Sequence, residues 1–315
     1  MYDIIGDIHG YADELIELLT VLGYQKKNSN QPHEAYYQHP TNKVIFLGDF
    51  IDRGRQQRET LNIVMPMVIN GAALTVMGNH ELNAIAYHTS KQDGSGDYLR
   101  PHSDKNTHQH QAFLNAYPNN EERNDIIEWF KTLPLWLEFD ELRIIHACWH
   151  QEVIERVQQK FQGNTLTSTT LHEALTYKTA LFEDIETLLK GVETSLPNGI
   201  IFTDNYGHER TEVRVRWWLT GAIPINESVI DQGVVDHITT AIDADVLPGY
   251  CDNLGMKEFK PCFIGHYWHQ GTPNLILPNL ACVDYSVAKN GKLVAYCFKG
   301  EAELNNENYF WATKC

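Results

Sequence analysis

Short apolar runs alternate with turns and helical patterns along the first half of the chain. After the run Tyr2–Ile5, a Gly-Asp-Ile-His-Gly loop leads into a segment with Leu15 and Leu22 at helical spacing, which Gly23 ends. These patterns predict strands at residues 2–5, 44–47, 73–77 and 142–147 and helices before Gly23 and at about 56–69. Strands and helices in alternation predict an α/β core.

The last part of the chain carries a second group of strand patterns. Apolar runs lie at residues 262–266, 275–278, 280–285 and 292–298. These late strands predict a second sheet packed on the first. We therefore expect an α/β (α+β) fold in which a two-sheet β-sandwich is flanked by helices.

Two segments depart from this alternation. Residues 88–111 are polar and rich in turn residues, and they predict a long exposed loop. Residues 151–260 contain helical patterns, at about 168–190, and an arginine-rich stretch. We expect this segment to form a cap inserted over the core, within a single domain that spans residues 1–315.

Composition and charge exclude several classes of function. The chain has 25 basic and 41 acidic residues among 315, a formal net charge of −16. Such an acidic chain is not expected to bind nucleic-acid polymers or anionic membranes through non-specific charge. No run approaches the roughly 18 apolar residues of a membrane span.

The N-terminal sequence and the cysteines indicate a cytoplasmic protein. The first residues contain no basic region, so no signal peptide is predicted. The six cysteines form no Cys-x-x-Cys pair, and reduced thiols are expected. The sequence leaves the oligomeric state open.

Side chains able to bind metals follow the predicted strands at their carboxyl ends. They are Asp7, His9, Asp49, Asp52, Asn79, His80, His146 and His266. Each motif alone is more often a turn or a buried histidine, but five in order, each after a predicted strand, indicate a metal site. Loops beyond the carboxyl ends of strands are where α/β folds place their sites. A glycine before four of the motifs (Gly6, Gly48, Gly78 and Gly265) is expected to permit a sharp turn and close approach.

The set of motifs resembles that of the calcineurin-like metallophosphoesterases, in their phosphoprotein-phosphatase branch. The residues concerned are GDIHG at 6–10, GDFIDRG at 48–54, GNHE at 78–81, and the histidines at 146 and 266. The N-terminal segment is most similar to bacterial members, which include small serine/threonine protein phosphatases and diadenosine tetraphosphatases. Where members often read His-Ala-Gly, this chain has Cys148, and it lacks their glycine-rich segment after the last histidine.

The resemblance implies a site for two metal ions that share one carboxylate. The implied ligands are Asp7, His9 and Asp49 for one ion, and Asp49, Asn79, His146 and His266 for the other. Mixed oxygen and imidazole ligands suit manganese, iron or zinc better than calcium, and manganese is the first expectation. A water between two such ions is activated for attack on phosphorus.

The resemblance also implies roles for three residues beside the metals. His80, paired with Asp52, would protonate the leaving alkoxide, and Arg53 would clamp phosphate oxygens. A turn closed by Asp52 and Arg53 is the structural alternative. For Glu81, at the start of a predicted helix, we expect a structural role.

Further arginines are candidates for binding substrate. Besides Arg53 and Asn79, we expect Arg210 and Arg214 to contact phosphate, with a solvated strand edge as the equal alternative. On a strand, Arg214 and Arg216 would share one face.

The expected activity is metal-dependent hydrolysis of a phosphoester, and the substrate class is open. The first expectation is a phosphomonoesterase of the phosphoprotein (serine/threonine) phosphatase type. The alternative is a hydrolase of nucleotides or of dinucleoside polyphosphates such as diadenosine tetraphosphate. A non-catalytic protein that binds metal or phosphate is the alternative from another class.

Overall fold

The computed structural model describes residues 1–28, 35–196, 201–203, 209–230, 246–248 and 260–312. Its strands are β1 (Tyr2–Ile5), β2 (Gln25–Lys27), β3 (Tyr36–Gln38), β4 (Lys43–Phe46), β5 (Ala73–Thr75), β6 (Trp136–Glu138), β7 (Arg143–Ile145), β8 (Glu193–Ser195), β9 (Phe202–Thr203), β10 (Glu209–Arg210), β11 (Glu212–Arg214), β12 (Ala222–Pro224), β13 (Val246–Pro248), β14 (Cys262–Ile264), β15 (Leu280–Cys282), β16 (Asp284–Tyr285), β17 (Lys292–Phe298) and β18 (Tyr309–Ala312). Its helices are α1 (Ala12–Val21), α2 (Gln57–Ile69), α3 (Asn79–His88), α4 (Asp104–Ala116), α5 (Asn120–Lys131), α6 (Gln151–Phe161), α7 (Leu171–Leu175), α8 (Ala180–Lys190) and α9 (Ile225–Ser228).

Two sheets form the centre of the fold. The first has the strand order β16-β17-β1-β4-β5, with β18 paired to β17, and the second has the order β15-β14-β7-β6. In the first sheet β1 is parallel to β4 and β4 to β5. In the second, β14 is parallel to β7 and β15. Parallel pairing brings the carboxyl ends of these strands to one edge of each sheet, so the loops that follow them lie together.

The side chains of β1 show how the layers pack. Successive residues of a strand point to opposite faces. Ile4 lies in an apolar cluster with Ile45 of the first sheet and Phe263 of the second, so this cluster fills the space between the sheets. Ile5 lies in a larger cluster that includes Leu15 of α1, on the helix side. The two-sheet sandwich flanked by helices, which the sequence predicts, is confirmed. The expectation that the late strands form the second sheet is wrong in part, because β16 and β17 pair into the first sheet and β7 belongs to the second.

The prediction of a loop over residues 88–111 is wrong for its last part. Residues 104–111 belong to α4, whose first turn is capped by the Ser103 hydroxyl. Only His110 and Phe113 are buried on this helix. A buried histidine takes a position that usually carries an aliphatic residue, so the apolar periodicity was too weak to indicate a helix.

Two other segments differ in detail from the predictions. No strand forms at residues 275–278, and the helical pattern at about 168–190 is split into α7 and α8. In the region of the predicted cap, Val153 of α6 and Leu188 of α8 are buried in the cluster that also contains Ile5. The division into core and cap stays a prediction, because most of residues 231–259 lies outside the described part. No described helix has the length and apolar character needed to cross a membrane.

Candidate metal centre

The strand ends of both sheets bring the predicted ligands together. Asp7 and His9 follow β1, Asp49 follows β4, Asn79 begins α3 after β5, His146 follows β7, and His266 follows β14. All six side chains are buried. These six residues come from segments that lie far apart in the sequence. They come together because the parallel strands that precede them end at the same edge.

Two groups of ligand-type atoms share the carboxylate of Asp49. One group contains His9, Asp49 and His80, the other Asp49, His146 and His266, and within each group these atoms lie within 4.8 Å of one another. Oδ2 of Asp49 lies 3.6 Å from Nε2 of His9 and 3.5 Å from Nε2 of His146. Asp49 thus lies between the groups, where the resemblance implies a bridging carboxylate.

Asn79 and Asp7 both contact residues of the group that contains His146 and His266. Oδ1 of Asn79 lies 3.2 Å from Nε2 of His146 and 2.8 Å from Nδ1 of His266. Oδ2 of Asp7 accepts a hydrogen bond of 3.1 Å from the backbone N–H of His266. A Cβ atom on Gly265 would lie 2.3 Å from Oδ1 of Asp7, so only glycine permits this approach.

The histidine rings are oriented as metal ligands are. Nδ1 of His9 lies 3.0 Å from the carbonyl of Ile51, and Nδ1 of His146 lies 2.7 Å from the carbonyl of Leu47. An Nδ1–H that donates to a carbonyl leaves Nε2 available to bind a metal. Among the described residues, the buried Nε2 atoms of His9 and His266 have no hydrogen-bond partner. A cation would satisfy these atoms.

The charges of the site also fit cations. Asp7, Asp49 and Asp284 are all buried. Burial, and next the carboxylate of Asp284, raise the pKa of Asp7 well above its usual range. Burial raises the pKa of Asp284 to about 6. Buried carboxylates so close together are unfavourable without neutralising charge. Oxygen and imidazole donors in this combination suit manganese, iron or zinc.

The backbone of the site adopts an uncommon conformation. Ten non-glycine residues of the described chain have positive φ, and the six in or beside the site are His9, Asp49, Asp52, Arg53, His266 and Trp268. Each such residue costs about 1–3 kcal/mol, and the surroundings must hold it in place. Gly48 has a φ of 86°, and a Cβ there would lie 2.2 Å from the backbone nitrogen of Gly78. The loops that carry Asp49 and Asn79 are therefore packed backbone to backbone.

The predicted contact between His80 and Asp52 is present. Nδ1 of His80 lies 2.6 Å from Oδ2 of Asp52, and Nε2 lies 3.9 Å from Oδ2 of Asp49. Burial opposes a charge on His80, but Asp49 and the hydrogen bond to Asp52 outweigh it and raise the pKa of His80. The ring is thus suited to hold a proton on Nε2, which faces the two groups of ligands.

His110 of α4 is a residue of the site that the sequence did not indicate. Its Nδ1 lies 2.9 Å from Oδ1 of Asp52, and its Nε2 lies 3.4 Å from Nε2 of His88. Sequence patterns could not indicate this contact, because it joins residues 58 positions apart. The sequence showed a histidine in a polar segment and nothing more. Asp284 was missed for the same reason. Its carboxylate accepts the backbone N–H of Trp268 at 2.6 Å and thereby holds the loop after His266.

Glu81 has the structural role expected of it. Its Oε2 accepts the backbone N–H groups of Asp49 at 2.8 Å and of Gly78 at 3.0 Å, and its Oε1 accepts that of Phe50 at 2.9 Å. The side chain is fully buried. Burial, and next the charge of Asp49, raise the pKa of Glu81 to about 7. Glu81 thus ties the loop of Asp49 to the start of α3.

The predicted arginines occupy different surroundings. The guanidinium of Arg53 lies 5.4 Å from the ring centre of Trp268. Arg214 lies 3.4 Å from Glu193, and after burial its charge is the largest influence lowering the pKa of His266. Arg210 lies in β10, but its side chain is outside the described part of the chain.

Comparisons with known proteins agree with this site. The family model described as calcineurin-like phosphoesterase matches residues 2–203. The asymmetrical bis(5'-nucleosyl)-tetraphosphatase PrpE of Halalkalibacterium halodurans is 37% identical over 153 residues, which are 46% of this chain and 56% of that protein. The symmetrical bis(5'-nucleosyl)-tetraphosphatase of Psychromonas ingrahamii is 31% identical over 171 residues, 51% of each chain. The chain thus spans about half the length of the curated relatives it matches.

A solved structure is also similar to this chain. It is a protein serine/threonine phosphatase from Saccharomyces cerevisiae, which matches with a TM-score of 0.47 and 14% identity, over 98% of this chain and 78% of that one.

The family model covers more than half of the 315 residues and includes the first three motifs. The chain therefore belongs to the calcineurin-like phosphoesterase family.

Proposed function

We propose that this protein is a metal-dependent phosphoesterase that hydrolyses nucleotides, and in particular dinucleoside polyphosphates. One observation carries the hydrolase assignment: two buried groups of ligand-type atoms share Asp49, and two of their histidine nitrogens have no partner among the described residues. The substrate class rests on the curated relatives, which are named for bis(5'-nucleosyl)-tetraphosphates. The first expectation from the sequence, a phosphoprotein phosphatase, has less support from these names.

The ligands proposed for two cations are those that the family resemblance implies, and the burial of these side chains and the sharing of Asp49 support them. Asp7, His9 and Asp49 would hold one cation, and Asp49, Asn79, His146 and His266 would hold the other. When bound, a pair of divalent cations supplies positive charge that polarises phosphate oxygens and lowers the pKa of water. We propose manganese first, with iron and zinc as alternatives for the same donor set.

The remaining residues of the site bind, orient and move a proton. Asp52 accepts the Nδ1–H of His80, so the transferable proton lies on Nε2, which faces the ligands. From there His80 would protonate the oxygen of a leaving alcohol. Arg53 would bind phosphate oxygens through its planar guanidinium, and Arg214 and Arg210 are proposed for the same task.

A substrate panel on manganese-loaded protein tests this function. We expect diadenosine tetraphosphate to be hydrolysed with a higher kcat/KM than a phosphoserine peptide, and p-nitrophenyl phosphate to be turned over as a generic phosphoester. Preference for the peptide would establish the phosphoprotein alternative and reject the nucleotide class. Bound manganese without hydrolysis of any phosphoester would identify a non-catalytic binding protein.

A further inference from the structure

Arg100 lies in a small pocket beside the proposed proton donor. It shares this pocket with Asp52, His80, Gln109 and His110. The side chain is partly buried between α3 and α4. The proposed metal ligands do not line this pocket.

Among the described residues, Arg100 hydrogen-bonds only to neutral groups. Its Nη1 donates to Oδ1 of Asn83 at 2.7 Å, and its Nη2 donates to Oε1 of Gln109 at 2.8 Å. Both acceptors are neutral amides, and no carboxylate of the described residues forms an ion pair with Arg100. Burial lowers the pKa of the guanidinium, while Glu186 and Asp52 act on it only through space. Because arginine stays charged, a partly buried guanidinium whose hydrogen-bond partners are neutral amides favours an anion beside it.

A wider groove lies along α4 near this pocket. Gln109 lines both cavities, and the groove has a volume of about 400 Å³ between Arg53 and the residues His108, Gln111 and Asn115. Ligand sites commonly have volumes of about 300–1,000 Å³. Amide and imidazole side chains both donate and accept hydrogen bonds, as the edge of a nucleobase requires. The groove therefore suits a nucleoside in size and in chemistry.

We propose that Arg100 binds a phosphate of the leaving group, and that the nucleoside attached to this phosphate lies in the groove along α4. The proposal rests on the function proposed above, since it takes His80 to lie beside the leaving oxygen. A leaving group that is itself a phosphate carries the anion that Arg100 lacks. The leaving group of a phosphoserine peptide is a neutral alcohol, so it gains no charge-assisted contact with Arg100. Arg100 would thus select nucleoside polyphosphates over phosphoproteins.

Inhibition by two products measures this subsite apart from the metal ligands. In manganese-loaded protein at a fixed concentration of free Mn²⁺, ADP and orthophosphate compete with p-nitrophenyl phosphate. In Arg100→Gln we expect the ratio of the Ki of ADP to the Ki of orthophosphate to rise by about tenfold or more, because one charge-assisted hydrogen-bonded contact is lost. Arg100→Lys keeps a charge and should show a smaller rise. The matched control is Arg156→Gln, an exposed arginine paired with Asp184, which should leave the ratio unchanged.

A purely structural role of Arg100 gives a different result. Asn83→Ala removes one of the two hydrogen bonds that join Arg100 to its neighbours but keeps the charge, so the ratio should stay within about twofold. An equal rise in Asn83→Ala and Arg100→Gln would overturn the proposal, and so would an unchanged ratio in Arg100→Gln. Hydrolysis of diadenosine tetraphosphate with no dependence on Arg100 would reject the subsite alone. A ratio that depends on Arg100 without such hydrolysis would reject the proposed substrate and keep the anion site.

Discussion

Nδ1 of His110 lies 2.9 Å from Oδ1 of Asp52, on the carboxylate oxygen opposite the one that contacts His80. The carboxylate is therefore held from both sides by imidazole rings. His110 is itself buried and stacks on Phe113, with ring centres 4.8 Å apart. Helix α4 thereby positions Asp52, and through Asp52 it orients the ring of His80.

Replacing His110 by phenylalanine should impair catalysis through this orientation. In His110→Phe we expect kcat for phosphoesters with poor leaving groups to fall by about tenfold, the lower range for supporting residues, with KM little changed. The loss should be smaller for p-nitrophenyl phosphate, whose leaving group needs no proton. Steady-state kinetics over a series of aryl and alkyl phosphates measure this. Lys105→Phe, at an exposed position of α4 outside the groove, is the control, and equal losses on all substrates would contradict the positioning role.

Removing the ring of His80 should show the same dependence on the leaving group more strongly. In His80→Ala we expect alkyl phosphates to lose much more of their kcat/KM than p-nitrophenyl phosphate, by about 100-fold or more, the usual size of general acid catalysis. The slope of log kcat/KM against the pKa of the leaving group should become steeper. An unchanged slope, with activity lost equally on every ester, would remove His80 from the acid role.

Asp49 is the carboxylate shared by both groups of ligands, so its loss should affect both cations. We expect Asp49→Asn to bind less manganese by elemental analysis and to lose hydrolysis of p-nitrophenyl phosphate. Saturating Mn²⁺ should raise the Tm of the unaltered protein, since a ligand at about 100 times its Kd stabilises by about 2.7 kcal/mol. This shift should disappear in Asp49→Asn and persist in Asp13→Asn, a change at an exposed position of α1. Full activity in Asp49→Asn would reject the two-metal assignment.

Glu81 should contribute to stability through its three backbone partners. In Glu81→Gln one end of the side chain becomes an NH2 group, so at least one buried backbone N–H faces a donor. We expect the free energy of unfolding to fall by about 1–3 kcal/mol, the cost of an unsatisfied buried group. Urea unfolding at pH 8 measures it, since Glu81 with a pKa of about 7 is then ionised. Glu128→Gln, which removes an exposed pair with Lys131, should change stability by less than about 1 kcal/mol. An equal loss of unfolding free energy in Glu81→Gln and Glu128→Gln would contradict the proposed role of Glu81 in joining the Asp49 loop to α3.

His88 should make the folded protein less stable in acid. Burial first, and then the charges of His110 and Arg123, lower the pKa of His88 to about 3. The unfolded chain binds a proton at this residue below its ordinary pKa of about 6.5, whereas the folded chain does not. Stability is therefore lost as the pH falls from about 6.5 towards about 3.

The variant His88→Gln removes this contribution. Its free energy of unfolding, measured relative to the unaltered protein by urea titration, should increase steadily as the pH is lowered from 7 to 4. His108→Gln on the exposed face of α4 controls for the loss of a histidine. Parallel curves for His88→Gln and the unaltered protein would show that His88 does not cause the acid sensitivity.

The strand-end motifs were predictable because each is local in sequence. Asp7 and Asp49 follow their strands directly after a glycine, and the apolar runs before them mark those strands. Parallel pairing then brings such loops to one edge of a sheet, so adjacency in space follows from position along the strand. The contact between Asp52 and His80 was predicted from the family resemblance, and the structure contains it.

Local patterns were therefore enough to predict the sandwich fold and the residues that meet at the candidate metal centre, because strand periodicity and glycine before a ligand are short-range signals. The packing of the helices places α4 against Asp52 and brings His110 and Gln109 to the site. It also gives Arg100 the neutral amides of Asn83 and Gln109 as hydrogen-bond partners. These contacts join segments that are polar and have little hydrophobic periodicity. Their positions depend on how the helices pack, and the local sequence pattern does not indicate that packing.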